Sequence, residues 1–144
     1  RKIYILSIIR EGMKNEDHLR QLKESIKEIE KSIIEGIREK QRTIGFNTSA
    51  GAIDMLEIIL HQNKSLDISA TIKHEWFNSD RRISERFTSI FPRKEEIIEL
   101  IKKIESVRNT FCYGKLQPEE KIKETIENFN ALKKIFLEVT GYEL

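Results

Sequence analysis

The chain has 144 residues, of which 38% are hydrophobic and 35% are charged, with only 6 glycines and 2 prolines. This composition excludes a disordered chain and a turn-rich β fold, and it is typical of amphipathic helices packed around one core. The formal net charge of +2 is too small for nucleic-acid binding by bulk electrostatics, so such binding requires a local basic patch. We predict a single domain over residues 1–144.

Two features bear on where the protein resides. The only cysteine, Cys112, has no intrachain partner for a disulfide, which favours a reducing compartment. Its position between two aromatic residues predicts a buried, unreactive thiol. No apolar run is long enough to span a bilayer, and the longest, residues 3–9, is interrupted by Ser7. We therefore expect a cytoplasmic protein that does not enter a membrane.

The apolar spacing predicts helices over nearly the whole chain. A short first helix over residues 2–12 ends near Gly12 and carries Ile3, Leu6 and Ile9. A long second helix spans residues 16–42. Its apolar stripe comprises Leu19, Leu22, Ile26, Ile29, Ile33 and Ile37. We interpret the stripe as part of the bundle core; the alternative is a seam that binds a partner protein.

The middle of the chain predicts two more helices. Gly45 and the polar residues after it predict a helix end and a new N-cap, followed by a central helix to about Gln62. Residues 63–71 predict a loop, and residues 72–78 form a short aromatic segment. Asp80 then caps a helix that Pro92 terminates. The residues of that helix predicted to face the core are Ile83, Phe87 and Ile90.

The last third of the chain predicts two helices of regular spacing. The first begins near Arg93 and keeps its apolar phase to Gly114. The second has Pro118 at its first position and stops at Gly141. The complete prediction is an all-α bundle of about five to six helices.

Metal chemistry has little support in the sequence. Residues 74–78, HEWFN, begin like a zinc-protease helix, but Asn78 stands where the second histidine must be. Asp54, Glu57 and His61 share a helical face, an arrangement that is common on solvated helix surfaces. We therefore predict no metal site and no cofactor.

Basic residues gather in two groups that alternate with glutamates. The groups are Arg38, Lys40 and Arg42, and Arg81, Arg82, Arg86, Arg93 and Lys94. With Trp76, Phe77 and Tyr113 as stacking partners, either group is suited to phosphate binding. Because of the interleaved glutamates, we interpret both groups as solvated faces.

Residues 105–115, ESVRNTFCYGK, contain a compact polar cluster at the end of an apolar helix. Arg108 lies close in helical phase to the core-facing residues of this helix. A guanidinium there needs a partner, because burying an unpaired cation is costly. Glu105 is one candidate, in which case Arg108 stabilises the bundle.

The pair Arg108–Asn109, followed by apolar residues, an aromatic residue and a turn, resembles the signature of HEPN domains. In these small all-α domains an arginine, often followed by asparagine, precedes a histidine by four to six residues. The resemblance covers residues 46–139, including a small-residue-rich central helix at residues 49–52. It implies an up-and-down HEPN-like core, to which residues 1–45 add a long N-terminal helical extension.

In that family the arginine and the histidine form a composite site at a homodimer interface. Carried over, Arg108 is the phosphate-binding residue, Asn109 its polar neighbour, and Tyr113 occupies the histidine's place. A phenol holds its proton near neutral pH, so Tyr113 is a hydrogen-bond donor or a weak acid rather than a base. His74, from the preceding loop, is a further candidate for the site.

The resemblance implies an RNA- or nucleotide-interacting domain of the toxin–antitoxin or defence type. Active members cleave RNA without a metal; with tyrosine in place of histidine, we expect a weak or inactive ribonuclease. The alternative is a non-enzymatic helical adaptor or dimerisation protein whose Leu19–Ile37 stripe holds a partner, for example a nucleotidyltransferase. A third hypothesis makes Tyr113 the acceptor of a nucleotide from such an enzyme.

Overall fold

The computed structural model describes residues 2–64 and 71–144, with side chains from residue 15 onward in those ranges. Over these residues the chain forms five α-helices and one short 3₁₀ helix, and no β-strand. The helices are α1 (Lys2–Glu35), α2 (Gln41–Gln62), the 3₁₀ helix (His74–Asn78), α3 (Asp80–Arg86), α4 (Lys94–Tyr113) and α5 (Glu119–Thr140). The predicted all-α fold class is confirmed. Among the described helices, none combines the length and apolar content that a membrane span requires.

Helix α1 is continuous, so the predicted break at Gly12 is wrong. A glycine inside a helix costs only about 1 kcal/mol relative to alanine, which a long helix tolerates. The helix ends at Glu35 rather than at Arg42, because Gly36 adopts a φ of 134°, a conformation that L side chains rarely take. The side chains of residues 3–9, predicted to contribute to the core, lie outside the described part.

The apolar stripe of α1 packs against its own chain. Leu22 and Ile29 are buried, and Leu19 and Ile26 are partly buried against the same core. Packing weakens towards the end of the helix, where Ile33 is 42% exposed. The interpretation of the stripe as bundle core is confirmed for residues 19–29.

Helix α2 is the central element and contacts α1, α4 and α5. It begins at Gln41 and runs through Gly45, so the predicted break there is wrong. Gly45 serves packing rather than a turn: a Cβ atom at this position would lie 2.7 Å from Cβ of Phe111 on α4. Residues 51–61 are all buried, as expected for a central helix.

The 3₁₀ helix and α3 connect α2 with α4. The helix predicted to begin at Asp80 ends at Arg86, well before the proline. Ser79 rather than Asp80 caps it, since its Oγ accepts a hydrogen bond from the backbone N–H of Arg82 at 3.2 Å. Helical phase is lost after Arg86, so Ile90 is 93% exposed and the prediction that it faces the core is wrong. Of the predicted loop before this region, residues 65–70 lie outside the described residues.

Helices α4 and α5 have nearly the predicted bounds. Helix α4 ends at Tyr113, and α5 follows Pro118 directly. Gly141, with a φ of 75°, ends α5. A small apolar cluster joins α2, α4 and α5 near the end of α4, and its buried members are Ile44, Phe111, Ile122 and Ile126. This packing fixes α4 against α2 where α4 carries the predicted site residues.

Candidate functional site

An open cleft with a volume of about 680 Å³ lies between the segment that contains the 3₁₀ helix and α4. Three of the four predicted site residues line it, namely His74, Arg108 and Asn109. Tyr113 is not among the lining residues. The fold therefore brings the loop histidine, rather than the motif tyrosine, into one cleft with the arginine.

A hydrogen-bond network holds His74 against both α2 and α4. Its Nδ1 atom lies 2.9 Å from Oε1 of Glu105 and 3.0 Å from Oγ of Ser49. The Ser49 hydroxyl also donates to Oε1 of Glu105, at 2.7 Å. A buried carboxylate needs hydrogen-bond donors, and these two groups supply them.

The two ring nitrogens of His74 therefore have different roles. Because Glu105 can only accept, Nδ1 carries the proton, and in the neutral ring Nε2 carries the lone pair. Nε2 has no hydrogen-bond partner within residues 15–64 and 71–144. The His74 side chain is 39% exposed, whereas that of Glu105 is 3% exposed. The arrangement is suited to accepting a proton from a ligand in the cleft.

Arg108 is half-buried at the rim of the cleft and forms no salt bridge with any described residue. The carboxylate of Glu105, its candidate partner from the sequence, is engaged by His74 and Ser49 instead. The Arg108 guanidinium carbon lies 5.6 Å from the ring centre of Phe46, so the cation packs on an aromatic face. Its N–H groups remain available to an anion.

Tyr113 lies outside the cleft because of helix geometry. Five residues along an α-helix correspond to about 500° of rotation, which places Tyr113 about 140° around α4 from Arg108. Its ring is 66% exposed and packs edge-on against Phe46, with ring centres 5.7 Å apart. Cys112, which precedes it, is buried as predicted, and burial raises the pKa of its thiol.

A second histidine–carboxylate group, the His18 cluster (His18, Asp54 and Glu57), lies between α1 and α2. His18 Nδ1 lies 2.7 Å from Oδ1 of Asp54, and Nε2 contacts Oε2 of Glu57. Burial lowers the pKa of His18, but hydrogen bonds and attraction from the two carboxylates outweigh it and raise the pKa to about 9. Burial also raises the pKa of Asp54, although His18 opposes that rise. The cluster therefore holds a charged imidazole between two acids.

The sequence placed two of these residues, with His61, on a solvated helix face, which is wrong: Asp54, Glu57 and His61 are all buried. The pattern did contain a signal, because all the other residues from 51 to 60 are glycine or apolar, so the three polar side chains interrupt an otherwise apolar helix. His18 also lies one turn before Leu22 on the stripe of α1. Among the described residues, no group of three His, Cys, Asp or Glu side chains has a geometry that could hold a metal ion.

The His18 cluster also supports the segment that carries His74. Oε1 of Glu57 accepts a hydrogen bond from the backbone N–H of Ile72 at 2.9 Å. A cavity of about 290 Å³ is lined by residues of the cluster together with Ile72 and His74. The buried cluster therefore lies directly beneath the backbone of the cleft wall.

Each of the two predicted basic groups contains both a salt-bridged cation and a guanidinium packed on an aromatic ring, since Lys40 pairs with Glu35 and Arg86 lies 4.9 Å from the ring centre of Trp76. In the second group, Arg81 pairs with Glu85, and Arg93 pairs with Glu96 and Glu138. Those pairs fit the predicted solvated face. In the first group, Arg42 forms no salt bridge with any described residue, and its guanidinium carbon lies over the rings of Phe46 and Tyr113.

Comparison of the chain with family models, with curated proteins and with solved structures found no match. The family resemblance therefore rests on the Arg108–Asn109 motif and its surroundings alone. The chemical groups that bear on function are those of His74 and Arg108 in the cleft.

Proposed function

We propose that the chain is a HEPN-like domain of the toxin–antitoxin or defence type that binds RNA in the cleft. One observation carries the proposal: Arg108, which has no salt bridge among the described residues, and His74, which a buried carboxylate orients, line the same open cleft. A guanidinium matches the geometry of a phosphate group, and an imidazole transfers protons near neutral pH.

In this proposal the site catalyses metal-independent cleavage of the RNA backbone. Nε2 of His74 accepts the proton of the ribose 2′-hydroxyl, and the 2′-oxygen attacks the adjacent phosphorus. The P–O5′ bond breaks to leave a 2′,3′-cyclic phosphate, the departing 5′-oxygen takes a proton from water, and the hydroxide that remains takes the proton held by Nε2 of His74. Arg108 stabilises the charge that develops on the phosphate oxygens.

His74 supports this chemistry better than the motif tyrosine does. Tyr113 occupies the family's histidine position but does not line the cleft, whereas His74 lines it beside Arg108 and Asn109. We propose Arg108 and His74 as the principal pair and Asn109 as a hydrogen-bonding neighbour. The resemblance also implies a homodimer with two such sites at its interface, for which sedimentation equilibrium gives a direct measurement.

The test uses a labelled single-stranded RNA in the presence of EDTA. We expect His74→Ala to lower the cleavage rate by about 10²- to 10⁴-fold, the usual contribution of a general base. Arg108→Ala should weaken RNA binding while leaving the melting temperature nearly unchanged, because Arg108 forms no ion pair within the described residues. If Arg108→Ala instead lowers the melting temperature by 10 °C or more, Arg108 is a structural residue and the proposal is wrong.

A matched control is Arg93→Ala, which removes the same charge before the other end of α4. Fifteen residues of helix correspond to about 22 Å, so Arg93 lies far from the cleft. If the wild-type protein binds RNA without cleaving it, the proposed RNA binding stands and the proposed ribonuclease activity is wrong. If the wild-type protein fails to bind RNA, the whole proposal fails.

One observation favours a second candidate function. The Tyr113 ring is 66% exposed, as a tyrosine that accepts a nucleotide from a nucleotidyltransferase must be. Intact-mass measurement after incubation with a nucleotidyltransferase and ATP tests it, with Tyr113→Phe as the unmodifiable control. The adaptor alternative has less support, because the α1 stripe is packed against the chain's own core from residue 19 to residue 29.

A further inference from the structure

An aromatic and cationic surface, here called the Phe46 platform, joins α2 and α4 beside the cleft. It consists of Arg42, Phe46, Arg108 and Tyr113. The guanidinium carbons of Arg42 and Arg108 lie 5.5 Å and 5.6 Å from the ring centre of Phe46. Arg42 also lies 5.7 Å from the ring centre of Tyr113. Two cations and two rings are therefore interleaved on one face.

The two cations of the platform are not held in salt bridges, although Glu39 lines the same cavity as Arg42. Neither Arg42 nor Arg108 forms a salt bridge with any residue in the described ranges, whereas Arg81 and Arg93 are each paired with glutamate. A guanidinium that packs on a ring keeps its N–H groups at the edge, where they can donate to phosphate. The platform thus offers both cationic donors and aromatic stacking surface.

The platform also lies between two cavities. Arg108 lines the cleft, while Arg42 and Tyr113 line a second open cavity of about 400 Å³. Arg38 and the 54% exposed side chain of Leu116 also line this second cavity. A ligand that reaches both cavities contacts the platform, because Arg108 lines one cavity and Arg42 and Tyr113 line the other.

We infer that the platform binds the nucleotide next to the phosphate held in the cleft, with its base stacked on Tyr113, so that the ligand is single-stranded RNA. This inference rests on the proposed function and names its substrate class. A phosphodiester joins two nucleosides, and the one on the platform side lies against the exposed ring of Tyr113. Bases of a duplex are already stacked and paired, so their faces are not available to an aromatic side chain.

The experiment measures fluorescence anisotropy of a labelled ten-nucleotide oligoadenylate with the full chain, and the RNA carries 2′-O-methyl groups so that it can bind but not be cleaved. Base–aromatic stacking is large enough that Tyr113→Leu should raise the Kd by about 5- to 100-fold, whereas Tyr113→Phe, which keeps the ring, should bind like the wild type. Arg42→Ala should lower the slope of log K against log salt by about 1, because one phosphate contact is lost. Arg93→Ala should change neither quantity.

Two competitors complete the test. A duplex of the same length and free AMP should each compete at least tenfold less well than unlabelled oligoadenylate. If Tyr113→Leu binds the RNA as tightly as the wild type does, the inference is wrong. It is also wrong if the duplex competes as well as oligoadenylate. In both cases the proposed function stands. Loss of binding in Tyr113→Phe assigns the role to the hydroxyl and also overturns stacking. A wild-type protein that binds no RNA overturns both proposals.

Discussion

His18 and His74 both contact buried carboxylates on a neighbouring helix, but the two rings differ in exposure and in the number of acids around them. The His18 side chain is 14% exposed and lies between two acids on α2. The His74 side chain is 39% exposed, and one nitrogen shares a single acid with Ser49. The number of neighbouring acids and the exposure of the ring therefore decide what each of these two histidines contributes. An enclosed imidazolium stabilises the fold, whereas a half-open imidazole is oriented but keeps one nitrogen for a ligand.

The largest expected effect is on the enclosed site. His18→Ala leaves Asp54 and Glu57 buried without their cation, and removal of one partner from a buried ion pair costs about 3–5 kcal/mol. We therefore expect a loss of that size in the free energy of unfolding, measured by urea denaturation with circular dichroism. Arg20→Ala, on the exposed side of α1, is the control and should change stability by less than about 0.5 kcal/mol. A His18→Ala protein as stable as the wild type would show that the two histidine sites do not differ in this way.

A smaller effect is expected from the acid of the open site, and it should fall on activity. Glu105→Gln keeps the shape of the side chain but weakens the hydrogen bond that orients His74. Hydrogen bonds to charged groups contribute about 1.5–3 kcal/mol, so the cleavage rate should fall by roughly 10- to 100-fold. If the cleavage rate is unchanged while the melting temperature drops, Glu105 is a structural residue. The two histidine sites would then both serve stability.

The smallest effect is a dependence of stability on pH that the enclosed site produces. The folded-state pKa of His18 is raised from 6.5 to about 9, so its stabilisation is complete below pH 6.5 and is lost as the pH rises through 9. After allowance for solvent screening we expect a loss of about 1–2 kcal/mol between pH 7 and pH 10. The measurement is the difference in melting temperature between wild type and His18→Ala across this range. That difference should shrink as the pH rises; a constant difference would mean that His18 is not charged in the folded protein.

The sequence predicted the regular helices well, and it placed helix ends correctly at Gly114 and Gly141 but wrongly at Gly12 and Gly45. Helices α4 and α5 were within about two residues of their bounds, because apolar phase and proline are local signals. Glycine serves two purposes that a sequence does not distinguish. Gly36 and Gly141 adopt positive φ angles at helix ends, whereas Gly45 permits close packing inside a helix.

The candidate site also has a part that the sequence predicts and a part that it does not. Arg108 and Asn109 are neighbours on one helix, so their common location in the cleft follows from the motif. The network of Ser49, His74 and Glu105 joins three distant segments, and only tertiary packing determines that they meet. The pairing of His18 with α2 was missed for that reason too.

The two oxygens of Glu57 face in different directions: one contacts His18, and the other holds the backbone of Ile72. The Glu57 carboxylate thus links the His18 cluster to the backbone segment from which His74 projects. At alkaline pH His18 loses its proton. The backbone segment that Glu57 holds, and with it the wall of the cleft, should therefore shift before the helices unfold. In the proposed function, RNA cleavage and folding would then fail at separate pH values, although both failures begin at the same buried ring.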